Sequence, residues 1–269
     1  MIYSKSIVIC GGDDRQRYMY EVMTQKGLDV STFALDGEES CEKLKKYDVV
    51  ILPVPVTKDG VYLNGPYKIK LDDIKESLCK SQIVLGGMCN GIDAIDYYLD
   101  EDFQTQNAIP TAEGALQLAM ENTDITINKS RCMVLGYGRI GKLLSAMLKN
   151  MGAQVTVCAR NPKDLSMAKA WGFEVMHIIR LDNMDRFDII FNTVPNVVMD
   201  SVVLGNTRKN VLIIDLASKP YGTDMEAAEK LGRRVIIASG LPGKVAPKTA
   251  GKILCDVILD ILGGVEFGT

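Results

Sequence analysis

The stretch Cys132-Met133-Val134-Leu135-Gly136-Tyr137-Gly138-Arg139-Ile140-Gly141-Lys142-Leu143-Leu144-Ser145-Ala146-Met147-Leu148 decides the fold. Four apolar residues of strand character run into Gly136-x-Gly138-x-x-Gly141, and a helical pattern follows at once. Each glycine has its own task in such a turn. The first closes it, the second leaves bare backbone for a pyrophosphate, and the third lets helix and strand approach closely. The helix N-terminus behind them offers unpaired N–H groups and the positive end of its dipole. A lone glycine motif means little, but here strand, helix and following strand all have the lengths a βαβ unit needs. We read a Rossmann domain with a nicotinamide dinucleotide held at Gly136, Gly138, Arg139, Ile140 and Gly141, against the alternative of a glycine turn with no ligand.

Working outward, apolar runs of strand length alternate with helical patterns along the whole chain, as in parallel sheets wound with crossover helices. Strands are expected at Ser6–Cys10, Asp29–Ala34, Asp48–Leu52 and Gln82–Leu85 in the first half. Those of the second half are expected at Arg131–Leu135, Gln154–Cys158, Glu174–Met176, Asp188–Asn192, Val211–Leu216 and Arg234–Ile237. Helices are expected over Arg15–Gln25, Leu71–Lys80 and Lys248–Leu262, with a polar loop or helix at Gly37–Lys46. The Asp59-Gly60 turn marks a small hairpin or lid within Lys58–Gly65. Thr111 looks like the N-cap of a crossover helix that follows Pro110. The fold class is α/β with two doubly wound parallel-sheet domains. Residues 1–122 form a flavodoxin-like substrate domain and residues 123–247 the Rossmann domain, while 248–269 form a C-terminal helix packing back across the junction. The active site is expected in the interdomain cleft.

Composition narrows the classes of function. At 269 residues, 47% hydrophobic and 24% charged, the chain has ample core for two domains. A net charge of −3 lacks the basic face a nucleic-acid binder needs. No apolar run reaches the ~18–20 residues that span a bilayer, and the chain opens directly into a strand, so a cytoplasmic protein is expected. Seven scattered cysteines with no C-x-x-C pair suggest neither a disulfide scaffold nor a metal site. Cys89, beside a strand end, is the one cysteine placed where a nucleophile could sit.

The strand after the glycine turn ends in Ala159-Arg160-Asn161, where an NAD enzyme usually carries a carboxylate for the ribose 2′-hydroxyl. Arg160 can instead pair with a 2′-phosphate, which favours NADP over NAD. Further strand ends carry Asn192-Thr193-Val194-Pro195 and Asp215-Leu216-Ala217-Ser218-Lys219-Pro220. Thr193 and Ser218 could bond a carboxamide or ribose, and Pro195 and Ala217 let a ring approach the backbone, although turn chemistry alone would use the same residues. In the first domain Gly11-Gly12 resembles a second phosphate loop but lacks a third glycine, so Gly12 is taken as a wall of the substrate site. Arg15 could clamp a carboxylate or pair with Asp13 or Asp14. His177 is the single histidine and falls near a surface turn, so no His–carboxylate pair is available as general base. Glu113 is the leading carboxylate for that role, unless it only caps its helix.

Gly11-Gly12-Asp13 with Arg15-Gln16, Ile109-Pro110-Thr111-Ala112-Glu113-Gly114, Asp215-Leu216-Ala217-Ser218 and the block Gly240–Gly251 together resemble the dipicolinate synthase A-subunit family of endospore-forming bacteria. The likeness runs in order along nearly the whole chain. It implies NADP-dependent conversion of a dihydrodipicolinate, or its hydroxylated tetrahydro precursor, to pyridine-2,6-dicarboxylate. It also implies a B-subunit partner and a mother-cell location; a homo-oligomer is a separate expectation. Oxidising a dihydropyridine gains aromaticity, so the ring proton is lost easily and no dedicated histidine is needed. On this reading Glu113, Lys219 and Ser218 are the catalytic candidates. Arg15, Gly12, Thr111, Lys244 and Lys248 would then hold the planar dicarboxylate. Two rivals remain: a nucleotide-binding regulatory or assembly protein, and a reductase of the shikimate dehydrogenase type.

Overall fold

The computed structural model describes residues 2–37 and 40–267. Glu38 and Glu39, within the expected Gly37–Lys46 segment, lie outside the described residues, as do Met1, Gly268 and Thr269. The chain forms two compact units, Met1–Asn107 with Ala246–Thr269, and Ala108–Val245.

The first unit carries β1 (Ser6–Cys10), α1 (Asp14–Gln25), β2 (Asp29–Phe33), β3 (Val49–Ile51), α2 (Leu71–Ser77), β4 (Ile83–Gly86) and β5 (Ile95–Asp96). Its strands are all parallel in the order β2-β1-β3-β4-β5, the flavodoxin-like winding. A long helix, α3 (Glu101–Glu121), leads into the second unit. That unit holds β6 (Arg131–Leu135), α4 (Arg139–Asn150), β7 (Gln154–Ala159), α5 (Pro162–Ala170) and β8 (Glu174–His177). It continues with β9 (Ile189–Asn192), α6 (Ser201–Gly205), β10 (Leu212–Asp215), α7 (Met225–Lys230), β11 (Arg234–Ile237) and α8 (Leu241–Val245). Its sheet runs β11-β10-β9-β6-β7-β8, the Rossmann order, and is parallel throughout. Helix α9 (Pro247–Phe267) returns to the first unit.

Strand periodicity divides each core into two layers, because successive side chains point to opposite faces. In the first unit Ile7, Ile9, Val49 and Ile51 pack on one side with Met19 and Met23 of α1 and with α9. Val8, Cys10, Val50 and Leu52 pack on the other with Leu71 and Ile74 of α2. In the second unit Cys132, Val134, Val157 and Phe191 share a layer with Leu144 and Leu148 of α4. Met133, Leu135, Ile190 and Ile213 face Leu204 and Ala228. Burial on both faces explains why these strands read as continuous apolar runs. Gly141, Leu144, Ser145 and Leu148 form the buried stripe of α4 at helical spacing, and each buried leucine contributes about 1.5–3 kcal/mol.

Three expectations need correction. The helix expected to open at Thr111 already begins at Glu101, and Thr111 is buried in its middle. Asp100 caps it, its carboxylate accepting the Phe103 N–H at 2.8 Å. Pro110 removes one internal hydrogen bond, at a cost of about 3 kcal/mol, yet burial of Ala108, Ala112, Ala115 and Ala119 carries the helix across. The division between units therefore falls inside α3, after Asn107, rather than after residue 122. Second, α9 is part of the first unit and packs on α1. A Cβ at Gly251 would come within 2.5 Å of the Arg15 carbonyl oxygen, so only glycine permits that contact. Third, the hairpin pairs residues on either side of an Asn64–Lys68 turn, with Leu63 N–H donating to Ile69 and Leu71 N–H to Val61. The Asp59-Gly60 turn is real but lies before the first arm, where the Asp59 carboxylate accepts the Val61 and Tyr62 N–H groups, both at 2.9 Å.

Candidate functional site

The glycine turn opens where β6 ends, and Gly136 and Gly141 have the conformational tasks that their spacing predicts. Gly136 has φ +97°, a left-handed conformation that disfavours a side chain, and a Cβ there would overlap the Thr193 hydroxyl. A Cβ on Gly141 would overlap the Gly136 carbonyl oxygen, so this glycine sets the helix against the turn. Gly138 differs from both. It is exposed, has ordinary extended backbone, and a Cβ built on it meets nothing within 4 Å. It is also the N-cap of α4 with no side-chain hydrogen bond, so no side chain of its own covers the first-turn N–H groups. Open space at the N-terminus of α4 fits a diphosphate. Arg139 and Ile140 follow in the first turn of α4, and Arg160 is exposed just beyond β7.

Thr193, expected to contact carboxamide or ribose, has a structural commitment. Its hydroxyl donates to the Leu135 carbonyl at 2.8 Å, the same carbonyl its N–H bonds, so the side chain buttresses the turn and keeps only acceptor capacity. Pro195 lies exposed two residues on, and Ala217 is buried after β10. Ser218 and Lys219 are exposed on the loop after β10, and Lys244 is exposed on α8. Glu113 is exposed on α3 in the same unit. Gly114, beside it, brings α3 within close range of α8, because a Cβ there would lie 3.1 Å from Leu241 Cβ.

The candidates of the first unit are placed differently. Gly12 is buried and its N–H donates to the Asn64 carbonyl at 2.7 Å, so the hairpin covers the turn expected to wall a substrate. Arg15 is 8% exposed, and its Nε and Nη2 donate to the two oxygens of Asp13 at 2.8 and 2.9 Å. Nη2 also reaches the Val54 carbonyl at 2.8 Å. The guanidinium fork is thus filled by a carboxylate of its own chain, the pairing the sequence left open. Burial works to raise the Asp13 carboxyl, but the hydrogen bond and charge of Arg15 outweigh it and hold the group below the usual range. Asp13 is also the N-cap of α1 within a capping box with Gln16. Lys248 is exposed in the first turn of α9. Thr111, as noted, is buried within α3.

Cys89 is not built as a nucleophile. Burial and the neighbouring Asp96 charge push its thiol up to about 12, leaving almost no thiolate at neutral pH. His177 ends the edge strand β8, and its Nδ1 accepts the Ile179 N–H at 3.3 Å. Among the described residues no group of acidic, cysteine or histidine side chains could hold a metal, and no helix is long and apolar enough to cross a membrane.

Sequence reasoning missed one feature. Asn192 and Asp215, last residues of β9 and β10, are fully buried and joined side chain to side chain at 3.0 Å. The available signal was a polar residue ending each of two apolar strands.

Comparison with known proteins agrees with this geometry. Residues 6–92 match the N-terminal domain of the dipicolinate synthase A-subunit, and residues 110–237 match the NAD-binding domain of S-adenosyl-L-homocysteine hydrolase. The second match makes this region a nicotinamide dinucleotide-binding domain. The chain is 31% identical to the dipicolinate synthase A-subunit of Bacillus subtilis (strain 168), over 99% of this chain and 98% of that protein. It is similar to the crystal structure of the dipicolinate synthase A-subunit from Bacillus halodurans, with TM-score 0.88 and 31% identity over 97% of this chain and 99% of that one. The corresponding B. subtilis crystal structure gives TM-score 0.89 and 30% identity over 100% and 99% of the two chains. A transhydrogenase from Sinorhizobium meliloti shares the fold at TM-score 0.67 and 12% identity, covering 96% of this chain and 94% of that one. This chain belongs to the dipicolinate synthase A-subunit family.

Proposed function

We propose that this chain is an NADP-dependent oxidoreductase that converts dihydrodipicolinate, derived from a hydroxytetrahydro precursor, to pyridine-2,6-dicarboxylate. The observation that carries the cofactor half is the open space at Gly138, at the N-terminus of α4, with Arg160 at the end of the neighbouring strand. Family membership supports the substrate half. When bound, the dinucleotide supplies a hydride acceptor. The chain's own residues then have limited duties. The backbone donors of the first turn of α4 bind the diphosphate, and Arg160 binds a 2′-phosphate. Ser218, Lys219 and Lys244, all of the second unit, supply a hydroxyl and two cations for the substrate carboxylates. Arg15 is left out of that set, because Asp13 already occupies it.

The substrate loses a hydride from a ring carbon and a proton from the ring, and both electrons of the broken C–H bond leave with the hydride. Aromatisation drives the proton loss, so Glu113 or water suffices to accept it. Orientation is then the protein's main contribution. By analogy with the named relatives, a B subunit is the expected partner, and the mother cell of a sporulating bacterium the expected location.

The test is to generate dihydrodipicolinate in place with the purified chain and NADP, and to follow formation of the reduced nicotinamide. Turnover supports the proposal. Dinucleotide binding without turnover, both alone and with the B subunit present, would favour an assembly or regulatory role instead.

A further inference from the structure

Asp215 is 0% exposed at the end of β10, and its carboxylate is held by four donors. Oδ1 accepts from Asn192 Nδ2 and the Ala217 N–H, both at 3.0 Å. Oδ2 accepts from the Gly222 N–H at 3.0 Å and the Thr223 hydroxyl at 2.7 Å. All four donors are neutral, and among the described residues no lysine, arginine or histidine pairs with it. Three of the four donors are N–H groups, which only donate, so both oxygens act as acceptors, an arrangement that suits a carboxylate without a counter-charge beside it.

Its position in the sheet matters. Leu135, Asn192 and Asp215 stand in one row across β6, β9 and β10. At ~4.8 Å per strand, Asp215 is about 10 Å from Leu135, the residue before the glycine turn. In a Rossmann sheet the adenosine half lies toward the strand after the turn, here β7 with Arg160. The nicotinamide half therefore falls on the other side, over the ends of β9 and β10. The oxidised nicotinamide ring is cationic and the reduced ring is neutral, so a fixed negative charge beneath this half distinguishes them.

Resting on the cofactor reading above, we propose that Asp215 is a positioning residue whose buried charge biases the site toward the oxidised dinucleotide. For a charge–ring separation of about 10 Å in a partly screened interior, a unit charge changes the ratio of the two affinities by about tenfold. It also pins the Ala217–Gly222 loop at both ends, so loop placement and charge must be separated.

The experiment measures Kd for NADP and for NADPH by calorimetry in the wild type, Asp215→Asn and Thr223→Val. Asp215→Asn removes the charge at nearly constant shape. Thr223→Val removes one loop-pinning donor and keeps the charge. We expect the wild type to bind the oxidised form more tightly. Asp215→Asn should shift the ratio about tenfold toward the reduced form, and Thr223→Val should leave it within about twofold. Equal weakening of both forms in Asp215→Asn reduces the residue to a loop anchor and overturns the proposal. So does a wild type that prefers the reduced form, whether or not Asp215→Asn folds. A wild type that binds neither form would instead refute the underlying cofactor assignment.

Discussion

Replacing Gly138 with alanine separates a ligand role from a folding role more cleanly than any other change in the glycine turn. Its backbone, φ −77° and ψ −162°, is open to alanine, and a Cβ there meets no atom within 4 Å. The remaining cost is that of alanine rather than glycine at an N-cap, about 0.5–1 kcal/mol. For a unit of this size that lowers Tm by only a few degrees. The methyl group, however, enters the space assigned to the diphosphate, just above the donors of α4. Forcing the diphosphate away from those donors should weaken dinucleotide binding about 100-fold, near 2.8 kcal/mol. A thermal melt and calorimetric titration of the same preparation read both quantities. Gly141→Ala is the contrast, because its Cβ would overlap the Gly136 carbonyl and disrupt the fold itself. A folded Gly138→Ala protein that binds the dinucleotide within about threefold of wild type would show that the diphosphate lies elsewhere.

Three further outcomes follow from individual residues. Arg160→Ala should weaken NADP at least tenfold more than NAD in parallel titrations, since only NADP carries the phosphate the guanidinium would pair with; equal losses would remove the specificity argument. Asp13 sits below the usual carboxyl range when folded, so its pairing with Arg15 stabilises the protein above that range, and this contribution is lost as pH falls through the lowered folded value. Asp13→Asn should therefore lower Tm at neutral pH and flatten its decline below about pH 4, and an unchanged acid limb would contradict the pairing. With its thiol raised to about 12, Cys89 should alkylate far more slowly at pH ~8 than exposed Cys79. Mass spectrometry showing Cys89 labelled first would overturn that assignment.

Much of the architecture was legible in the chain because parallel strands buried on both faces advertise themselves as apolar runs. Cys132–Leu135 and the runs ending at Asn192 and Asp215 needed no tertiary information to be placed. Gly136 and Gly141 were also legible, since their tasks are local: one residue's φ, and one helix's approach to its own strand. Pro110 misled because helix breaking is a local tendency, whereas burial of the alanines around it is a tertiary gain that exceeds the local cost.

The sequence by itself determined that a Rossmann-type dinucleotide-binding domain is built around β6 and α4, because the glycine turn between them is a property of consecutive residues. Only the tertiary structure decided which side chains remain free to use it. It filled the Arg15 fork with Asp13 and roofed Gly12 with a hairpin some fifty residues away. It also committed the Thr193 hydroxyl to Leu135 and set Asp215 against Asn192 with no counter-charge among the described residues. Those outcomes depend on which groups meet across strands and loops, and hydrogen-bond capacity is taken up there rather than along the chain.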